Sequence, residues 1–333
     1  MPIFDQGYQH WEGQLSGHGW RWLAIARRGV RTQLKNRWTR IALLLAWLPA
    51  LVLGGFLTLW GLFEQKPMDW APFFGFFPQA VLMDPKAFRS EAWAIAFSIF
   101  LLAETYAAMI LVVIVGPNLI SQDMRFNAMP LYLSRPVTRL DYFAGKLATI
   151  AAFLAGIMIV PAILSYGIGV AFSLNYRVFA DTYWIVLACI AFGAILVLVA
   201  GLFMLAISAM SKNSLYVGAI WIGLWMVGWA SSLVLSNPFG LNLKWGPTVS
   251  LTSNLDRIRG SLLGSGEAYG KMQRETMKLP EMAWMRDSFN PNGPPNPFAW
   301  AYPWQWSAYV LLGIVGLSLC ILTTRVKSLD RLR

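Results

Sequence analysis

Long apolar runs separated by short polar segments dominate the pattern of this chain. About 20 apolar residues are needed to cross a hydrocarbon core about 30 Å thick, because an α-helix rises about 1.5 Å per residue. Runs that meet or nearly meet this length cover residues 41–63, 92–115, 147–172, 184–208, 215–235 and 307–324. The pattern therefore predicts an all-α polytopic membrane protein with six transmembrane helices.

Composition agrees with this interpretation, since 57% of the residues are hydrophobic and only 13% are charged. A soluble domain has about 25% charged residues. The formal net charge of +11 is more typical of a basic cytoplasmic face than of nucleic-acid binding, because no basic stripe lies on a soluble module. We therefore expect no nucleic-acid partner. Cys189 and Cys320 both fall in apolar runs, where cysteine acts as a small packing residue.

The distribution of Lys and Arg predicts the orientation. The short segments on the N-terminal side of the membrane hold more basic residues than those opposite, so both termini are expected to be cytoplasmic. We expect an integral protein of a bacterial inner (plasma) membrane. The predicted organisation is a cytoplasmic tail with an interfacial helix (1–40), a six-helix transmembrane domain (41–324) and a second cytoplasmic tail (325–333).

Residues 19–40 have the pattern of a basic amphipathic helix. Trp22, Ala26 and Val30 recur at helical spacing, with Arg27 and Arg31 among the residues between them. Such a helix, with tryptophan near both ends, lies in the plane of the lipid headgroups. Membrane lipid is therefore an expected partner. The alternative is a solvated helix that packs on a partner protein.

The predicted outer loop, 236–306, is the largest segment between spans. Thr252 or Ser253 is expected to cap a short helix, and a second helical stretch ends before Pro280. Two interpretations remain open for this loop. It forms a small cap packed on the spans, or it forms a gate or docking site for an outer partner.

One ionisable residue, Glu104, lies near the middle of a predicted span. A central acid costs about 2.5–3.5 kcal/mol on insertion scales, so it should face other helices or a water-filled path. It is either a substrate or proton site, or a structural glutamate that is hydrogen-bonded to a neighbouring helix. One central acid and no internal repeat are atypical of a proton-coupled carrier, so any transport should draw its energy from outside this chain.

The segment between the second and third spans, 116–146, is too charged to lie in lipid. It carries Asp123, Arg125 and Lys146, and its Arg135–Pro136 step stops a helix because the residue before proline avoids the helical region. We expect a short amphipathic element, a break and a new helix start.

This segment resembles the corresponding loop of ATP-binding-cassette (ABC) type-2 permeases. Asn127 stands where that family often has Gly, and Met129 where it has Leu. The residues that match the family pattern are Ser134, Arg135, Pro136, Val137, Thr138, Arg139, Tyr142, Gly145 and Lys146.

The resemblance implies that the loop forms a cytoplasmic coupling helix seated on a dimer of separate cytosolic ABC ATPase subunits. ATP and Mg would be bound by that partner, so this chain would carry no cofactor and no enzymatic activity of its own. Arg125 and Arg135 would pair with acids of the ATPase, while Arg139 and Lys146 would lie near lipid phosphates. The alternative is that these charges only anchor the cytoplasmic side. The implied coupling residues are Asp123, Arg125, Met129, Leu131, Tyr132, Arg135 and Arg139.

The resemblance also implies a dimer with a second or related permease copy. The pathway would lie at their interface, lined by the first, second and fifth spans, with Glu104, Trp221 and Trp225 as candidate lining residues. The tryptophans could equally face lipid. We expect a permease subunit of an exporter. The alternatives are a non-transporting membrane scaffold whose outer loop recruits partner proteins and, less favoured, an enzyme acting on lipid.

Overall fold

Six long apolar helices form the body of the described protein. The computed structural model describes residues 20–75, 77–128, 138–173, 177–237, 241–278 and 296–330, and side chains up to residue 325. No strand occurs in these ranges. The six helices are long and apolar enough to cross a membrane, which confirms the predicted all-α membrane class. Numbered as spans 1 to 6, they are Arg37–Gln65, Arg89–Arg125, Arg139–Ser173, Arg177–Ser208, Ser214–Ser236 and Trp304–Arg325.

Spans 2 and 4 lie at the centre of the bundle. In each, 56% of the most apolar stretch is buried, against 17% in span 5 and 22% in span 6. Span 2 packs on spans 1, 3 and 4, and on the two helices of the loop between spans 5 and 6. The peripheral spans therefore expose apolar faces that only hydrocarbon or another protein can cover.

Several spans are interrupted where the regular helical hydrogen-bond pattern is broken. Span 2 breaks at Gly116, and Pro117–Arg125 continues it as a separate helix. Span 3 breaks at Met158, three residues before a proline that has no N–H to donate. Span 4 contains a π-helical turn at Val197–Gly201, a feature often found at functional sites.

The predicted amphipathic helix is shorter than expected and ends at Leu34. Asn36 adopts an extended conformation, and its side chain accepts a hydrogen bond from the backbone N–H of Trp38, at 3.1 Å. Asparagine is a preferred N-cap, so a new helix begins at Arg37 and leads into span 1. Residues 37–40 thus belong to span 1 and not to the interfacial helix.

The amphipathic helix, Arg21–Leu34, packs closely on the start of span 3. A Cβ added at Gly145 would lie 2.7 Å from Cβ of Ile25, and Gly29 lies directly against Thr149. Small residues of this kind let two helix backbones approach closely. The opposite face, with Arg27 and Arg31, is exposed. We call the end of the bundle that carries this helix the basic end.

The other end of the bundle, the cap end, carries two helices from the loop between spans 5 and 6: the first cap helix, Leu251–Leu262, and the second, Ser265–Met277. Of the two interpretations that the sequence leaves open for this loop, the structure shows packing on the spans: the first cap helix fits among spans 2, 4, 5 and 6. Its N-cap is Ser250, so the predicted caps Thr252 and Ser253 are wrong. The reason is that Ser250 is the extended residue, and its hydroxyl accepts from the N–H of Ser253 at 3.3 Å.

A buried arginine explains how a charged helix fits between spans. Arg259 is buried, pairs with Asp256 one turn earlier and donates to both the backbone oxygen and the hydroxyl of Ser98 in span 2. These partners replace the water that the guanidinium loses on burial.

A second buried ion cluster ties spans 1, 2 and 4 together at the cap end. Arg89 donates to both oxygens of Glu64, at 2.6 and 2.5 Å, and reaches Asp181 at 3.3 Å. Glu64 also accepts from the indole N–H of Trp60, at 2.7 Å. Arg89 and Glu64 are both buried. The bidentate geometry sets the relative positions of the three helices.

We predict that Arg89→Ala lowers the free energy of unfolding by about 3–5 kcal/mol, because it leaves the Glu64 carboxylate buried without its partner. Reversible unfolding in detergent measures this loss. Lys278→Ala is the matched control, since Lys278 and Glu275 form an exposed pair at 2.7 Å, which contributes only about 0–1 kcal/mol. Equal losses in the two variants would show that the Arg89 cluster does not hold the spans.

Candidate functional site at the connection between spans 2 and 3

Helices occupy both flanks of the charged segment 116–146. Pro117–Arg125 takes up its first part, and span 3 begins at Arg139, so the connection itself is residues 126–138. Residues 129–137 lie outside the described part of the chain. The predicted coupling residues within that gap are Met129, Leu131, Tyr132 and Arg135.

The span 2 side of the connection ends in a left-handed turn. Asn127 has a φ of 51°. The N–H of Ala128 donates to the backbone oxygen of Asp123 at 2.8 Å, and the N–H of Asn127 donates to the backbone oxygen of Met124 at 3.4 Å. This is the Schellman arrangement that often terminates helices, usually with glycine at the left-handed position. Asparagine tolerates that conformation better than most residues, which explains how Asn127 occupies a position where the resembled family often has Gly.

The span 3 side begins with a reciprocal cap. The N–H of Asp141 donates to the hydroxyl of Thr138 at 3.1 Å, and the N–H of Thr138 donates to the Asp141 carboxylate at 3.0 Å. Two of the four N–H groups that lack partners at a helix start are satisfied in this way. The N-cap Thr138 therefore sets the start of span 3 at Arg139, three residues after Pro136.

Three side chains join the two flanks, and we call them the loop clamp: Asp123, Tyr142 and Lys146. Lys146 Nζ lies 2.7 Å from a carboxylate oxygen of Asp123, and the Tyr142 hydroxyl donates to the same oxygen at 2.7 Å. The Lys146 ammonium also lies 5.3 Å from the centroid of the Tyr142 ring. The expected position of Lys146 is near lipid phosphates; in the structure its side chain is largely buried and its charge is paired with Asp123.

Span 4 is tied to the same region through Ser208, a residue that the sequence analysis missed. Its buried hydroxyl accepts from the N–H groups of Ile120 and Ser121, at 3.2 and 3.1 Å, and donates to the oxygen of Pro117 at 2.9 Å. One serine at the end of span 4 therefore holds the short helix in place.

Exposed apolar and basic residues lie on both sides of residues 129–137. Phe126 is 72% exposed and Leu140 is 79% exposed, and both stand beside an exposed arginine, Arg125 and Arg139 respectively. The Arg125 guanidinium lies 5.7 Å from the centroid of the Phe126 ring. The sequence analysis did not select Phe126 and Leu140. Each is a large apolar residue next to an arginine at the end of a span, and this pattern could have identified them.

The candidate pathway residues do not form one site. Trp221 is buried and donates to the backbone oxygen of Met109 at 3.2 Å, and the Trp225 ring lies 6.4 Å from that of Tyr106. The two tryptophans do share a cavity of about 160 Å³ with Asn254 of the first cap helix. The described lining of that cavity does not include Glu104.

Glu104 is fully buried, and neither carboxyl oxygen has a hydrogen-bond partner among the described residues. The hydrogen bond to a neighbouring helix that the structural hypothesis requires is thus missing there. No group of three metal-ligating residues was found in the described ranges.

Comparisons with known proteins do not extend the argument. No protein-family model matches the chain, and no curated protein matches it. The resemblance to ABC type-2 permeases therefore depends on the residues of segment 123–146 and on the layout of the spans.

We predict that Asp123→Asn loosens the connection while the bundle stays folded. A hydrogen bond to a charged group contributes about 1.5–3 kcal/mol, so backbone hydrogen exchange in residues 123–146 should speed up about tenfold or more. Asp69→Asn, at an exposed position between spans 1 and 2, is the control and should leave that exchange unchanged. Unaltered exchange in Asp123→Asn would mean that the clamp does not restrain the loop.

We also predict that Glu104→Met raises the free energy of unfolding by about 1–3 kcal/mol, the penalty of a buried polar group without partners. The same substitution at Glu64, which has two partners, should lower it. Unfolding of both variants in detergent provides the comparison. A destabilised Glu104→Met would show that the carboxyl makes stabilising contacts that the described residues do not reveal.

Proposed function

We propose that this chain is the transmembrane permease subunit of an ATP-driven ABC transporter that works as an exporter. It pairs with a second or related permease and with two cytosolic ATPase subunits, which bind ATP and Mg. The observation that carries the proposal is the connection between spans 2 and 3. It has the family's Ser134–Lys146 motif, and the loop clamp joins its two flanks.

The geometry of the connection suits a mechanical role. Asp123 belongs to the last turns of span 2, Tyr142 and Lys146 belong to span 3, and Ser208 ends span 4. A force applied to residues 126–138 therefore acts on three spans together instead of bending a free loop. Polar contacts that join rigid helices are a physical means by which one site can move another.

The proposal divides the coupling residues into two groups. Asp123 is held by partners inside the chain, so we assign it a positioning role together with Tyr142 and Lys146. Arg125 is exposed, and with Arg135 it would meet acids of the ATPase. Phe126 and Leu140 would add apolar contact beside Met129, Leu131 and Tyr132. Arg139 stays assigned to the coupling surface.

For the pathway, we propose the interface between two permease copies, lined by spans 1, 2 and 5. Support comes from the burial of the spans: only 28% of the most apolar stretch of span 1 and 17% of that of span 5 are buried within one chain. Glu104 points into the chain and not to these exposed faces. Its part in transport is tested separately: if Glu104→Gln leaves both transport and ATPase stimulation unchanged, Glu104 is no substrate or proton site.

We predict that the chain co-purifies with a cytosolic ATPase and that Arg135→Glu weakens this complex at least about tenfold, because a like charge then faces the acids of the partner. Pull-down and ATPase stimulation in liposomes measure both effects. Lys278→Glu, at the cap end, reverses a charge far from the connection and should change neither.

Two results would refute the proposal. One is a purified chain that never carries a nucleotide-hydrolysing subunit. The other is labelling of Leu140→Cys by an impermeant thiol reagent applied from outside intact cells, which would place the connection on the wrong side of the membrane.

A further inference from the structure

A large groove lies between spans 1 and 2, beneath the second cap helix, with a volume of about 660 Å³. We call it the span 1–2 groove. Val52 and Phe56 of span 1 line it, with Ala96 and Ile99 of span 2 and Met272 of the cap. Among the described residues that line it, all are apolar except Tyr269. Its volume is in the range of small-molecule sites, about 300–1,000 Å³.

The groove exists because span 2 presents small side chains between larger walls. Ala92, Ala96 and Ala103 lie on one face of span 2, since residues three or four apart on a helix are neighbours. One wall carries Phe56, and the cap supplies Tyr269, which packs on Phe298. The alanine face is therefore the floor of a channel that runs along the helix axis.

The floor from residue 92 to residue 103 is about 16 Å long at 1.5 Å per residue. This is about half of a hydrocarbon core about 30 Å thick, which is the depth of one leaflet. The groove opens sideways past Val52 and Ile99, which are 74% and 55% exposed. Both lie within helices long enough to cross the membrane, so in a single chain the opening lies at the depth of the hydrocarbon.

The lining decides what occupies such a groove. Water needs two to four polar partners, and the described lining residues offer one, the Tyr269 hydroxyl. An extended hydrocarbon chain matches the apolar lining and the length of the floor, and it is the material that the membrane supplies at this depth.

We propose that the span 1–2 groove binds the acyl chain of an amphiphile that enters from the leaflet at the cap end. In its second part, which rests on the proposed function, this amphiphile is the substrate, which the transporter would take from the outer leaflet and release outward. The chain would slide in past Val52 and Ile99, with its polar end beside the second cap helix. The substrate class would then be lipid-linked or single-chain amphiphiles, recognised by chain length.

The test of binding uses the full-length chain alone, in nanodiscs that contain phosphatidylcholine with a photoreactive diazirine in one acyl chain. After irradiation, mass spectrometry locates the labelled peptides. We expect labelling of residues 48–56 and 92–103 above that of other lipid-facing segments. Ala96→Trp should reduce it about fivefold or more, because the indole fills the space of the chain.

A second variant and a control keep the result interpretable. Ile99→Trp changes an exposed residue at the opening and should also reduce labelling, even if Ala96→Trp fails to fold. Ala194→Trp, at an exposed position of span 4 that lines none of the described cavities, should leave labelling unchanged. Labelling that is uniform over all lipid-facing segments, or that neither groove variant reduces, would overturn the proposal.

A second copy whose side chains fill the groove itself, and do not only lie against spans 1 and 2 beside it, would also overturn the proposal. Val52→Cys, made together with Cys320→Ser to remove an exposed thiol, would then form a disulfide between copies while the groove stays unlabelled. The substrate part is tested by ATPase stimulation with lysophosphatidylcholines of increasing chain length, which should rise with length and fall in Ile99→Trp. Photolabelling needs no ATPase, so groove labelling without a co-purifying ATPase would refute the proposed function and leave chain binding intact.

Discussion

Charged groups that enter this bundle need partners inside it, because hydrocarbon offers none. Arg89 with Glu64, Arg259 with Asp256 and Lys146 with Asp123 each satisfy that requirement. Each of these cations contacts a group on a different helix: Arg89 reaches Glu64 and Asp181, Arg259 reaches Ser98, and Lys146 reaches Asp123. The pairing that makes a charge tolerable therefore also positions the helices. The arrangement of spans 1 to 4 and of the first cap helix depends on this constraint.

The same need for partners explains how the two ends of the connection between spans 2 and 3 are held together. A loop of this composition would normally project freely into water. Here Asp123 and Lys146 close its base, and Ser208 ties the preceding helix to span 4. The exposed residues Phe126 and Leu140 therefore lie at helix ends that are held by polar contacts. A surface on which another protein exerts force requires such support.

Two features of the bundle are not explained by the pairing of buried charges: Glu104 and the span 1–2 groove. Glu104 is buried without a hydrogen-bond partner among the described residues, which is destabilising, and an ionisable residue inside a span is by default a functional-site hypothesis. The span 1–2 groove is an apolar space that side chains leave unfilled. Its described lining, apolar except for Tyr269, suits a hydrocarbon ligand, whereas Glu104 would act on a polar or ionic one. The two features would therefore serve different parts of a substrate or different steps of transport.

The sequence by itself determined the class of the protein and the number of spans, because hydrophobic length is a local property that the bilayer thickness sets. It also located the connection between spans 2 and 3, with a helix break at Arg135–Pro136 and a new helix start after it, since turn chemistry involves residues only a few positions apart. It could not show that Lys146 turns toward Asp123, that Ser208 holds Pro117–Arg125, or that the first cap helix fits among four spans. Those results join residues far apart in the chain, and only packing of the whole bundle decides which distant groups meet.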